Sequence, residues 1–313
     1  MEKRPNLLVG LLVCSFFASC LGAPKVEQLP LPYSPKNNIR QLGRDNAPMA
    51  FVEAGAFVRG INQRQERRAF ELCEEFAPGN CDMDWFAAEK PQREITLDAF
   101  WIDVFEVTNV QYDRCVREGS CAPPDHSDCQ AWDSEEGDWR ALSPPEVRTN
   151  FSDPEKPVVC VDWIEAETYC RWAGKSLPSE AQWEKAARGT DQRTFPWGEQ
   201  TPNCVMSQMT SPENGGEGCG DHSTAAVGGR AAALSPYGAQ DMSGNALEWT
   251  LDFLNPEFYA TGPATNPINR EPSQRRVIRG GAWNNEPAFL RTTTRGSFPA
   301  DFRTVYTSFR CAM

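Results

Sequence analysis

Cysteine placement constrains this chain more than any other feature. Of its 12 cysteines, Cys14 and Cys20 lie in or beside an N-terminal export segment, and the others run from Cys73 to Cys311. An even set of cysteines in an exported chain reads as a disulfide framework. Zinc is a poor alternative, because no CxxC pair is present and His126 and His222 are the only histidines. Bridges would pin the many turns implied by 25 Pro and 23 Gly. Spacing alone leaves the pairing open.

The N-terminus carries an address. Lys3 and Arg4 precede an apolar run from Leu7 to Phe17, which is too short to span a bilayer. The following Phe16-Phe17-Ala18-Ser19-Cys20 resembles the cleavage box of bacterial lipoproteins. Residues 1–19 are therefore expected to be a signal peptide, Cys20 the lipidated start of the mature chain, 20–45 a polar tether and 46–313 a folded domain. The expected location is the cell envelope, lipid-anchored or periplasmic, and Leu21 after Cys20 favours the outer membrane. A net charge of −12 repels phosphates and anionic headgroups, which argues against nucleic acid and leaves the lipid as the only membrane contact.

Three helices are announced by capping boxes. Thr108…Gln111, Asp162…Glu165 and Ser179…Gln182 each pair a short N-cap side chain with a partner three residues on. Behind Asp162, the residues Ala166, Tyr169, Cys170 and Ala173 form one buried face. Gly119, Gly174 and Gly189 are the expected stops. Alternating segments at 50–58 and 95–104 predict strands, as do Val277-Ile278-Arg279 and Ser308-Phe309-Arg310-Cys311. No second apolar run is long enough for a membrane span.

Six further stretches carry a family resemblance. They are Phe100-Trp-Ile-Asp-Val-Phe-Glu-Val-Thr-Asn109; the central 157–189, containing Gly174-Lys-Ser-Leu-Pro-Ser-Glu-Ala-Gln-Trp183; Phe195-Pro-Trp-Gly198; Tyr237-Gly-Ala-Gln-Asp-Met-Ser-Gly-Asn-Ala-Leu-Glu-Trp249; Arg276-Val-Ile-Arg-Gly-Gly-Ala-Trp283; and Phe309-Arg-Cys311. In this order they resemble the formylglycine-generating enzyme (sulfatase-modifying factor) family. The resemblance implies one compact α+β domain, C-type-lectin-related, with little regular secondary structure and with disulfides.

The resemblance also exposes a gap. Family enzymes oxidise a substrate cysteine with oxygen, using two cysteines five residues apart that bind cuprous copper, a soft ion suited to thiolates. Asn285 and Leu290 occupy those positions, and Ala282 replaces a serine. Copper is therefore not expected. The iron-dependent branch needs a histidine cluster, which two loop histidines do not supply. Arg279, Ala282, Trp283 and Arg291 are the groove candidates that remain.

Other implied features persist. A structural calcium would be held by Asp241 and Glu248 with the carbonyls of Gly244 and Ala246, consistent with calcium's need for several hard oxygens. A second position would use Asn203, the carbonyl of Cys204 and Asp221. The family bridge joins Cys170 to Cys311; a second common bridge is lost, with Ala187 at one end. Short-range pairing suggests Cys73–Cys81, Cys115–Cys121 and Cys204–Cys219, and elimination leaves Cys129–Cys160. Trp163, Trp172, Trp183, Trp197, Trp249 and Trp283 are expected in the core and groove walls. The segment 63–89 stands outside the family frame and is either a loop over the groove or a surface excursion.

These features favour a non-catalytic binding or surface protein, a pseudoenzyme whose ligand is a peptide, protein or glycan. The alternatives are a protein-modifying oxidoreductase using other ligands and a structural partner in an envelope assembly. Fold membership alone does not choose among them.

Overall fold

The computed structural model describes residues 38–313. The expected signal peptide and lipidated Cys20 lie outside the described residues. The expected tether bound at residue 45 is too late, because residues 39–42 already form a strand. Strand β1 (Ile39–Leu42) pairs antiparallel with β2 (Ala47–Val52), so the folded domain begins earlier. Asp45, in the turn between them, accepts from Lys175 and Tyr169 and anchors that turn.

The chain continues through β3 (Gly55–Arg59), α1 (Gln63–Phe76), β4 (Arg93–Leu97), β5 (Phe100–Asp103), α2 (Asn109–Arg117), β6 (Gln130–Asp133) and β7 (Asp138–Ala141). Then follow α3 (Pro144–Phe151), α4 (Trp163–Trp172), α5 (Glu180–Arg188), β8 (Leu247–Phe253), α6 (Phe258–Thr261), β9 (Arg275–Arg279), β10 (Gly296–Pro299) and β11 (Thr307–Ser308). This is a single α+β domain of modest helix content. One sheet has the order β1-β2-β5 and another the order β10-β9-β8-β11, while β3-β4 and β6-β7 are two-stranded. Strand β11 runs parallel to β8, and the other pairs are antiparallel.

Local chemistry explains the helices. All three expected capping boxes form, each satisfying amides that a helix start leaves free. Gly174 and Gly189 take positive φ (78° and 70°), where a β-carbon would be strained. The two long strand segments each break in two. Residues 53–54 separate β2 from β3, and residues 98–99 separate β4 from β5, which places the halves in different sheets.

Five disulfides close the framework: Cys73–Cys81, Cys115–Cys121, Cys129–Cys160, Cys170–Cys311 and Cys204–Cys219. The fourth fastens α4 to the C-terminal segment and lies in a core with Tyr169, Trp249 and Phe309. Helix α5 is buried, with Trp183, Ala186 and Ala187 fully inside.

Candidate functional site

The segment that would carry the sulfur pair follows β9. Asn285 is half-buried and staples a turn: its Oδ1 accepts from the Ala282 amide at 2.8 Å, and its own amide donates to the Ala282 carbonyl at 2.9 Å. Leu290 is fully buried, packed with Ile61, Leu72, Phe86 and Phe195. It lies so close to Gly281 that a β-carbon there would sit 2.5 Å from Leu290 Cδ2. A cuprous ion needs soft donors. Here one position is an amide engaged in a turn and the other is hydrocarbon in an apolar cluster. These residues do not fit copper.

The groove candidates are buried rather than exposed in an open groove. Arg279 is 0% exposed; its guanidinium donates to the carbonyls of Thr292, Thr293 and Thr294 at 2.8–2.9 Å and to Glu184 at 2.8 Å. Ala282 is buried. Trp283 donates to the Val305 carbonyl and packs between Phe151 and Tyr306. Arg291 is chelated by Glu89, with both bonds at 2.7 Å. Apart from Arg279 Nε, which is buried without a partner, these polar groups are held by the frame, as burial of charge demands. Trp163 and Trp197 are only half-buried, while Trp172, Trp183, Trp249 and Trp283 lie in the core.

The segment 63–89 closes over this region. It contains α1, a helix the sequence analysis did not predict, opened by a capping box of Asn62 and Gln65, and a 3-10 turn, Met83–Glu89. Cys73, Ala69 and Leu72 face Leu290 and Ala288 in one cluster. Trp85 and Phe86 contact Phe289. With the Glu89–Arg291 pair, these contacts fix the segment as a cover over residues 285–291.

The first calcium position is altered. Both oxygens of Glu248 accept from Arg310 at 2.7 Å, and one also accepts from Trp183 Nε1 at 2.7 Å. Glu248 is thus committed to Arg310, contrary to the expectation that it would be a calcium ligand. Asp241 accepts from the Gly228 amide at 2.7 Å. Its carboxyl is pushed up by burial, against the pull of that bond and of Arg310 and Arg230. Gly244 has φ 89°, and a β-carbon there would meet Ser207 Oγ at 2.1 Å, so the tight turn needs glycine. Sequence reasoning missed Glu106. It is 1% exposed, accepts from Asn245 through Oε1, and leaves Oε2 buried without a partner. Burial, then the nearby Asp241, raise its pKa well above the usual carboxylate range. A lone acid between Phe105 and Val107 was the signal available. Among the described residues, no three Asp, Glu, Cys or His side chains converge on a metal-binding arrangement, so any cation there would depend on backbone carbonyls as well.

The second calcium position does not fit a metal. Asn203 Oδ1 accepts from the Val205 amide at 2.9 Å, Asp221 is exposed, and the Cys204 carbonyl accepts from Arg230 Nε at 3.4 Å. Arg230 also donates to Gln208 Oε1; burial lowers its pKa, against the pull of Asp241, Asp221 and Glu106. A guanidinium stands where the sequence suggested a metal. His126 is half-buried and His222 exposed.

The 285–290 segment is therefore held by turn bonds and apolar packing and offers no soft donor. The sulfatase-modifying factor enzyme 1-like domain matches residues 36–313, and the chain belongs to this family. It is 37% identical to the formylglycine-generating enzyme of Thermomonospora curvata over 187 residues, which span 56% of this chain and 60% of that protein. It is 31% identical to the Streptomyces coelicolor formylglycine-generating enzyme over 302 residues, 85% of this chain and 94% of that protein. The solved structure of PvdO from Pseudomonas aeruginosa superposes with a TM-score of 0.64 at 22% identity, covering 88% of this chain and 97% of that one; it attests the fold alone.

Proposed function

We propose that this chain uses the family scaffold for binding rather than for copper-dependent thiol oxidation, as an envelope protein held by a lipid on Cys20. Leu290 carries the reading. It has no ligand atom, it is fully buried, and the 63–89 cover packs over it. Five disulfides support an oxidising compartment. The ligand class is a peptide, protein or glycan. A structural calcium belongs to the proposal, held by Asp241, the carbonyls of Gly244 and Ala246, and Glu106 in place of Glu248. When bound, it would supply charge neutralisation to two buried carboxylates.

The test is to give the purified chain substoichiometric copper, oxygen and a cysteine-bearing sulfatase peptide, and to analyse its metals. No aldehyde by mass spectrometry, with calcium as the sole stoichiometric metal, is the expected result. Sustained conversion of thiol to aldehyde would overturn the proposal and favour the alternative, a protein-modifying oxidoreductase using other ligands.

A further inference from the structure

A cavity of about 310 Å³ opens between α1 and residues 192–201. That volume is at the lower end for small-molecule sites and suits a sugar-sized molecule rather than a peptide. Its floor is apolar, formed by Ile61, Ala69, Leu72 and Phe195. Its walls reverse the sign of the chain. The net charge of the protein is −12, yet Arg64, Arg68, Arg188 and Arg291 line this cavity against the single acid Glu199.

Pairing accounts for part of that charge. Glu89 neutralises Arg291, while Arg188 shares Glu184 with Arg279. Glu199 is occupied by the amide and hydroxyl of Thr194. Arg68 meets Glu71 at 3.5 Å with both side chains more than half exposed, a weak pairing. Arg64 has no ion pair among the described residues. The rim keeps a positive surplus, which attracts anions.

Neutral groups add to the same imbalance. Gln92 Nε2 donates to Gln65 Oε1 at 3.0 Å and to Gln192 Oε1 at 2.9 Å. These bonds consume acceptors and leave the amide nitrogens of Gln65 and Gln192, both lining the cavity, as donors. Arg188 is 1% exposed, and its Nε is buried without a partner. Donors outnumber acceptors around the cavity, and ionised oxygens are their strongest complement.

We propose that this cavity binds a small, acceptor-rich organic anion, a sugar-sized carboxylate or phosphate. The segment that covers residues 285–291 thereby also builds a new site. The cavity shares Ile61, Leu72 and Phe195 with the cluster around Leu290, but neither Asn285 nor Leu290 lines it, so its binding test and the thiol-oxidation assay fail separately. Calorimetry on the full chain would use glucuronate and glucose 6-phosphate, with neutral glucose as control. One anion should bind with a Kd below about 1 mM while glucose does not, and the two anions separate the carboxylate from the phosphate reading. The double variant R64Q/R68Q should weaken binding by about tenfold or more with an unchanged unfolding midpoint, since both side chains are exposed. Absence of binding by both anions, equal binding of glucose, or undiminished affinity in R64Q/R68Q would overturn the proposal.

Discussion

Glu89→Ala tests how the 63–89 cover is held. Both Glu89 oxygens accept from Arg291 at 2.7 Å, and the two side chains are 2% and 4% exposed. Without the carboxylate, Arg291 keeps the Ala288 carbonyl at 2.7 Å, Thr293 Oγ1 at 3.1 Å and the Phe86 ring at 4.9 Å. It loses its opposite charge. Leaving one member of a buried pair uncompensated costs about 3–5 kcal/mol, whereas an exposed pair is worth about 1 kcal/mol or less. The variant should therefore lose about 3–5 kcal/mol in urea unfolding with the disulfides intact. Protease cleavage within 63–89 should rise in parallel, because the pair joins the Arg295–Ala88 and Ile61–Glu89 backbone bonds in fastening the end of the cover. The double variant E89L/R291M removes both charges at similar volume and should recover most of the loss. A cost for E89A below about 1 kcal/mol, or no recovery in the double variant, would refute the reasoning.

Two further outcomes follow from the framework. Replacing Cys170 and Cys311 by serine releases a loop of 141 residues, and the chain-entropy argument gives about 5 kcal/mol. Removing Cys73–Cys81, with a separation of 8, should cost about 2.5 kcal/mol, so denaturation midpoints should rank in that order. Asp252 is pushed up to about 7, chiefly by burial and then by Glu180, against bonds from the amides of Asn269 and Glu180. The folded state therefore holds this proton more tightly than the unfolded one, whose value is near 3.8. Stability from this group is complete below that value, declines as pH rises to about 7, and is level beyond. Carboxyl NMR should show Asp252 titrating near neutrality; a midpoint near 4 would sink the argument.

What the sequence determined alone is what neighbours in the chain decide. The capping boxes at Thr108, Asp162 and Ser179 and the glycine stops at Gly174 and Gly189 rest on bonds and dihedrals spanning a few residues, so spacing reveals them. The loss of sulfur at 285 and 290 is likewise a matter of residue identity. The box at Asn62 is of the same local kind but was missed, and it marks the start of the cover. Where that cover lies was decided by tertiary structure. Glu89 and Arg291 are 202 residues apart, and nothing in either residue's surroundings announces the other. Arg230 at the Cys204 carbonyl and Glu248 against Arg310 are of the same kind. Long-range pairing of charges depends on how loops close and on which groups leave water together. A burial of that kind turned four expected groove residues into frame and raised a new polar cavity beside it.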